Sequence, residues 1–332
     1  MNVSLHNTPS PLSSMLVWDN HACMPLRPHD TGFMDQLQWH HANGTDVVML
    51  NVGFGDDSIE AHLRMLATFR AWLAARPGQY RLIRSVADIH AARAAGQLAV
   101  GFDIEGANAI GDQLSLIELY RDLGVRWMLL AYNRNNRAGG GCQDDDPGLS
   151  AFGRAMLEEM ARVGMIGCCS HTGYRTAREA IDASPAPLIF SHSNPRALFE
   201  HPRNIPDELI RACAARGGVI GINGIGLFLG GNDASPVNMA RHVAYVAELV
   251  GIEHVGIGLD FIHDRRDIDD FLAANPDKFP PHLGYGAGMN MMSPAELPAL
   301  AAELNRLGMS DAELAAVLGG NWLRLAEQLW RD

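Results

Sequence analysis

Short runs rich in Val, Ile, Leu and Met at 15–18, 46–51, 98–103, 126–131, 165–169, 187–190, 218–222 and 254–258 are separated by longer amphipathic or alanine-rich stretches. A strand covered on both faces reads as a continuous apolar run, and its parallel neighbour is reached through a crossover, so the alternation predicts a parallel sheet clothed in helices. Helices are expected over 58–75, 86–95, 114–123, 149–163, 174–183, 207–216, 238–250 and 294–307. Ser85, Ser293 and Ser310 precede acid-bearing first turns, where a hydroxyl and a carboxylate answer unpaired amides and the helix dipole. Eight β/α alternations predict a (β/α)8 TIM barrel, with an open doubly wound sheet as the competing architecture. No Ser- or Pro-rich tract or charge block divides the chain, so 1–332 reads as a single barrel domain. The segment 260–292, with its KFPPHLGYGAGMN stretch, has no clear period and reads as a long loop over the active face.

The polar residues fall at one end of these runs. His21 follows the first, Glu105 the third, His171 the fifth, His192 the sixth and Asp260 the eighth. In a (β/α)8 barrel the carboxyl ends of the strands converge on one mouth, so residues distant in sequence can share a site. Imidazole and carboxylate both coordinate Zn²⁺ and related divalent ions, which makes these five a ligand set, with Glu105, His171 and His192 its firmest members. Any one of these histidines alone would read as a turn or capping residue. The joint pattern is more specific, because FDIEG, CCSHT and FSHSN each place the polar residue at the end of an apolar run.

Composition narrows the function classes. A formal charge of −12 offers no basic surface to displace the counterions of a nucleic acid. The glycine-rich stretches give no phosphate loop between a strand and a helix. No run approaches the ~20 apolar residues needed to span a bilayer, and MNVSLHNTPSPLSS lacks the basic start and apolar core of a signal peptide, so a cytoplasmic protein is expected. The five cysteines form no regular framework, which favours free thiols or ligands over disulfides. Cys168 and Cys169 alternate across one strand and read as core, and the acidic run 144–146 reads as a solvated loop.

The sequence resembles the membrane dipeptidase, or renal dipeptidase, family of the amidohydrolase superfamily. The likeness is carried by DNHACMPL at 19–26, DIEGAN at 103–108, GLSAFGRAMLEEMARVGMI at 148–166, SHT at 170–172 and IFSHSNPRAL at 189–198. RNIPDE at 203–208, GIGLDF at 256–261 and LGGNWLRL at 318–325 extend it. The resemblance implies a binuclear zinc hydrolase acting on dipeptides, often dimeric. His21 would bind the first metal, Glu105 would bridge two ions, and His171 and His192 would bind the second. Asp260 would lie beside the substrate amino group and the attacking water, and Arg203 would grip the substrate carboxylate. Three positions depart from the family pattern: Cys23 stands where the first motif has Asp, Tyr132 where a substrate-binding His is frequent, and DFIHD where DFDG is usual. As a thiolate, Cys23 would ligate the first ion; as a neutral thiol it would only fill space. The Tyr132 hydroxyl can donate to an oxyanion, but has no cationic form near neutral pH. The implied activity is hydrolysis of an amide bond in a dipeptide or dipeptide-like substrate. The rival readings are an amidohydrolase for another small amide and a catalytically silent binding barrel.

Overall fold

The computed structural model describes residue 12, residues 14–286 and residues 288–331. The stretch read above as free of a leader lies mostly outside them. Among the described residues the strands are β1 Trp18–Cys23, β2 Val47–Phe54, β3 Tyr80–Leu82, β4 Leu98–Glu105, β5 Val125–Leu129, β6 Ile166–Cys168, β7 Ile220–Ile222, β8 Val255–Ile257 and β9 Phe261–Ile262.

The strands close into a ring. β1 pairs with β2, β2 with β4, β4 with β5 and β5 with β6, all in parallel. Ile189 and Phe190 then bridge Cys168 to Ile220, which carries the ring to β7 and its partner β8. The chain leaving β8 runs into β9, and β9 pairs in parallel with β1. Closure excludes the open doubly wound sheet, and the fold is the (β/α)8 barrel. β3, which the apolar pattern misses because YRL is short and half polar, pairs with the first half of β4, below β5.

Strand parity divides the core. Alternate residues such as Met49, Ala99, Trp127, Cys168 and Ile189 fill the barrel interior, whereas Leu50, Val100, Met128, Cys169 and Phe190 pack outward against the helices. The two adjacent cysteines are therefore both core, on opposite faces. Trp18, Trp127, Trp322 and Leu325 close one end of the interior, where the Trp322 indole donates to the Ile257 carbonyl at 3.1 Å. The polar residues occupy the other end. All three expected serine caps form capping boxes.

Three expectations are corrected. The first strand is not 15–18 but Trp18–Cys23, so His21 lies within it rather than after it. The register against β2 slips between Asp19 and Ala22, a bulge that lets Trp18, His21 and Cys23 all face inward while Ala22 packs outward. The sequence 187–190 forms only isolated bridges. Finally, 260–292 is not a featureless loop: it holds β9, a helix Arg265–Ala274 capped by the Asp264 carboxylate, and a 3-10 turn Pro281–Leu283. That helix is ten residues long, shorter than the roughly 11–18 residues over which a helical period is read, and β9 has two, so neither stands out in the sequence.

Candidate metal centre

The site is built on strand parity and on three residues held at positive φ. On β4, Asp103 and Glu105 are two residues apart and point to the same interior space, while Asn51 reaches it from β2. His171, Asp260 and Asn133 all have positive φ, at 60°, 58° and 56°. Non-glycine residues seldom adopt that conformation, and when they do so together the backbone strain is held at the functional end of the fold.

Three imidazoles surround one carboxylate oxygen. Glu105 Oε1 lies 3.2 Å from His192 Nε2, 3.3 Å from His171 Nε2 and 3.6 Å from His21 Nε2. Buried as it is, this oxygen has no hydrogen-bond partner. The Nε2 atoms of His171 and His192 are 2.9 Å apart. A buried carboxylate oxygen without a donor, facing nitrogens that converge on it, is costly unless a cation lies among them. The donor set fits a divalent cation.

A second cluster shares His21. Its Nε2 lies 3.4 Å from Asp260 Oδ1 and 3.6 Å from Cys23 Sγ, and the thiol is 3.8 Å from the same Asp260 oxygen. His21, Cys23 and Asp260 thus form a group of compact metal-ligand geometry, as do His21, Glu105 and His192. The bulge in β1 makes this possible by turning His21 and Cys23 inward together.

The rear nitrogen of each imidazole is held. His21 Nδ1 meets Asp103 Oδ2 at 3.2 Å, His171 Nδ1 meets Asn133 Oδ1 at 2.8 Å, and His192 Nδ1 meets Ser191 Oγ at 2.8 Å. An acceptor behind Nδ1 keeps the proton there and leaves the Nε2 lone pair facing the centre. Asn51 donates to both Asp103 and Glu105, and Asn223 donates to Asp260 Oδ2 at 2.9 Å. These supporting groups were missed in the sequence. Asp103 could have been found from its i, i+2 spacing to Glu105, and Ser191 from its place beside His192. Asn133 and Asn223 carry no local signal.

Burial and charge set the electrostatics. Burial pushes the Glu105 carboxyl up to about 8 and the Cys23 thiol up to about 12, the latter opposed by His21. Burial lowers His171 and His192 well below the ordinary range, helped by His21 and the Arg203 cation. His21 goes the other way: burial opposes its charge, but Asp103 and Glu105 outweigh it. Histidines held neutral are the form that ligates metal.

The residues expected on the substrate side also face the site. Tyr132 stacks its ring on His171 at 4.1 Å between centroids. Arg203 is 2% exposed and donates through Nη2 to the His192 carbonyl at 3.2 Å, leaving Nε and Nη1 buried and unpartnered. Two cavities meet at His171: one of about 360 Å³ containing Asp260, Cys23, Glu105 and Tyr132, and one of about 220 Å³ containing Arg203. The acidic run 144–146 is not simply solvated. Asp144 pairs with Arg134 at 2.7 Å, and Asp146 accepts from the backbone of Gly148 and Thr176, tying the run to the helix Tyr174–Ala183.

Comparison with known proteins agrees with this geometry. Residues 31–272 match the family model for membrane dipeptidase (peptidase family M19). A dipeptidase of Aspergillus oryzae is 33% identical over 252 residues, covering 73% of this chain but 54% of that protein, so the chain spans about half its length. An uncharacterized Klebsiella pneumoniae protein encoded in the pqqA 5' region is 29% identical, with 83% of this chain and 98% of that protein aligned. The crystal structure of an amidohydrolase from Pseudomonas aeruginosa superposes with a TM-score of 0.86 at 29% identity, covering 97% of this chain and 99% of that one. With the family model spanning most of the barrel and the motif residues gathered at its mouth, this chain belongs to the membrane dipeptidase family.

Proposed function

We propose that the protein is a zinc-dependent hydrolase that cleaves the amide bond of a dipeptide or a dipeptide-like small substrate. The observation that carries this reading is the unpartnered Glu105 Oε1 encircled by the Nε2 atoms of His21, His171 and His192. Imidazole and carboxylate donors suit zinc, and a thiolate at Cys23 would favour it further. Glu105, His171 and His192 would hold one ion; His21, Cys23 and the shared Glu105 carboxylate would hold a second, with Asp260 alongside. A divalent cation there supplies Lewis acidity to the scissile carbonyl and lowers the pKa of the attacking water.

The chain's own residues do the rest. Asp260, oriented by Asn223 and lining the larger cavity, takes the proton of the attacking water and passes it to the leaving amine. The free Nε and Nη1 donors of Arg203 grip the terminal carboxylate and place the second residue in the smaller cavity. Tyr132, fixed on His171, offers its hydroxyl to the oxyanion. The five free cysteines accord with a reducing compartment, and we place the protein in the cytoplasm. The test is turnover of a mixed dipeptide library by zinc-loaded protein. Cleavage abolished by Asp260→Asn is expected, whereas metal binding without turnover of any dipeptide would favour a silent barrel or a different amide.

A further inference from the structure

We propose that the larger cavity seats the side chain of the substrate's amino-terminal residue, and that the enzyme selects dipeptides in which this residue is large and apolar. This rests on the dipeptidase reading above and names its substrate class. Orientation comes first. Asp260 and Cys23 border the larger cavity, while Arg203 borders the smaller one on the far side of His171. A dipeptide whose carboxylate meets Arg203 therefore directs its first residue into the larger space.

The walls of that space are apolar. Phe54 leaves β2, and Phe271, Phe279 and Tyr285 descend from the segment 260–292, forming a run of ring contacts. Phe54 meets Phe271 edge-on at 5.5 Å, Phe271 meets Phe279 at 5.5 Å, and Phe279 meets Tyr285 at 5.4 Å. Met289 and Leu272 add to the apolar lining from the same segment. At about 360 Å³ the cavity sits within the ~300–1,000 Å³ typical of small-molecule sites, whose walls are mostly apolar with a few placed polar groups.

Desolvation and charge weigh against the alternatives. At the rim, Arg27 is already paired with Asp30, Asp264 and Asp267, and Asp57 accepts from the Phe54 amide. Any charged side chain would lose its hydration against the aromatic wall, and an anionic one would also meet Asp57, Asp264 and Asp267, which outnumber Arg27. A glycine or serine would leave the wall uncovered. The segment that reads as an aperiodic loop in the sequence is thus the part of the chain that sets specificity.

The experiment uses the zinc-loaded 332-residue chain. kcat/KM is measured for Phe-Ala, Leu-Ala, Gly-Ala, Asp-Ala and Lys-Ala, and calorimetry gives Kd for the uncleavable reduced-amide analogues of Phe-Ala and Gly-Ala. Because even one methylene can be worth tenfold in an apolar pocket, Phe and Leu are expected to lead Gly, Asp and Lys by at least about tenfold in kcat/KM, with Phe leading Gly in affinity. Phe279→Ser should narrow the Phe-to-Gly ratio, and Phe279→Leu should keep most of it. Turnover of all five dipeptides at similar kcat/KM would overturn this proposal and leave the dipeptidase reading standing. Tighter binding of the Phe analogue without turnover would support the pocket's selectivity and overturn the catalytic reading. Neither turnover nor preference in binding would overturn both.

Discussion

His171 and His192 present their Nε2 atoms to each other at 2.9 Å, each held from behind by an acceptor on its Nδ1. Two neutral imidazoles with lone pairs facing each other repel unless a cation accepts both, so the pair is pre-set for an ion. Asn133→Gly removes the acceptor behind His171 while tolerating the positive φ, and Ser191→Ala removes that behind His192. Each is expected to weaken zinc affinity by roughly 10- to 100-fold with the fold retained, and Asn133→Asp to preserve it. Competition titration against a chelating dye, with circular dichroism as the control, checks this.

Arg203 offers two buried donors that nothing in the protein uses. Arg203→Ala is expected to raise KM for dipeptides with a free carboxylate by about 10- to 100-fold, since hydrogen bonds to a charged group contribute about 1.5–3 kcal/mol. Amidated analogues should change far less. Equal effects on both would make Arg203 a structural support of the His192 carbonyl.

Cys23 is the residue that tests the proposed first ion. Its thiol is raised to about 12 by burial in the metal-free protein, so ligation requires the cation to draw the proton off. Zinc stoichiometry of two per chain in both the parent and Cys23→Asp is expected. One ion in the parent and two in the variant would show that the thiol only fills space.

Much of this site is legible in the sequence, and the reasons for the rest are physical. Glu105, His171 and His192 stand at the ends of apolar runs, where barrel geometry alone brings them together. His21 is harder, because its inward direction depends on a bulge in β1 that no run of residue types announces. The helix Arg265–Ala274 is shorter than the roughly 11–18 residues over which a helical period is read, so the aromatic wall it helps form sits in what reads as a loop. Asn133 and Asn223 act through tertiary contact and give no pattern at all.

Away from the site, His242 makes stability depend on pH. Burial lowers its pKa from 6.5 to about 4, opposed by its contact with the Leu229 carbonyl. The unfolded chain then binds the extra proton between those values, so stability falls as pH drops from about 6.5 towards 4, by up to about 3 kcal/mol from this group. His242→Gln should flatten that part of the profile in urea melts at pH 7 and pH 5.

At the closed end of the barrel, a Cβ at Gly256 would lie 2.5 Å from the buried Trp322 ring, closer than any real contact allows. The indole is fixed by its bond to the Ile257 carbonyl, so it cannot swing away freely. Gly256→Ala is expected to cost about 1–3 kcal/mol in denaturant unfolding, with zinc affinity changed far less than by Ser191→Ala.

If the Glu105 carboxylate and its ring of imidazoles hold the ion on which hydrolysis depends, metal content and turnover must fall together when that carboxylate is removed. Elemental analysis of protein purified without chelator, paired with dipeptide turnover, reads both in the parent and in Glu105→Gln. At least one zinc per chain and measurable turnover are predicted for the parent, with both sharply reduced in the variant and its circular dichroism unchanged. Equal metal content and equal turnover in the two proteins would show that Glu105 does not hold the ion.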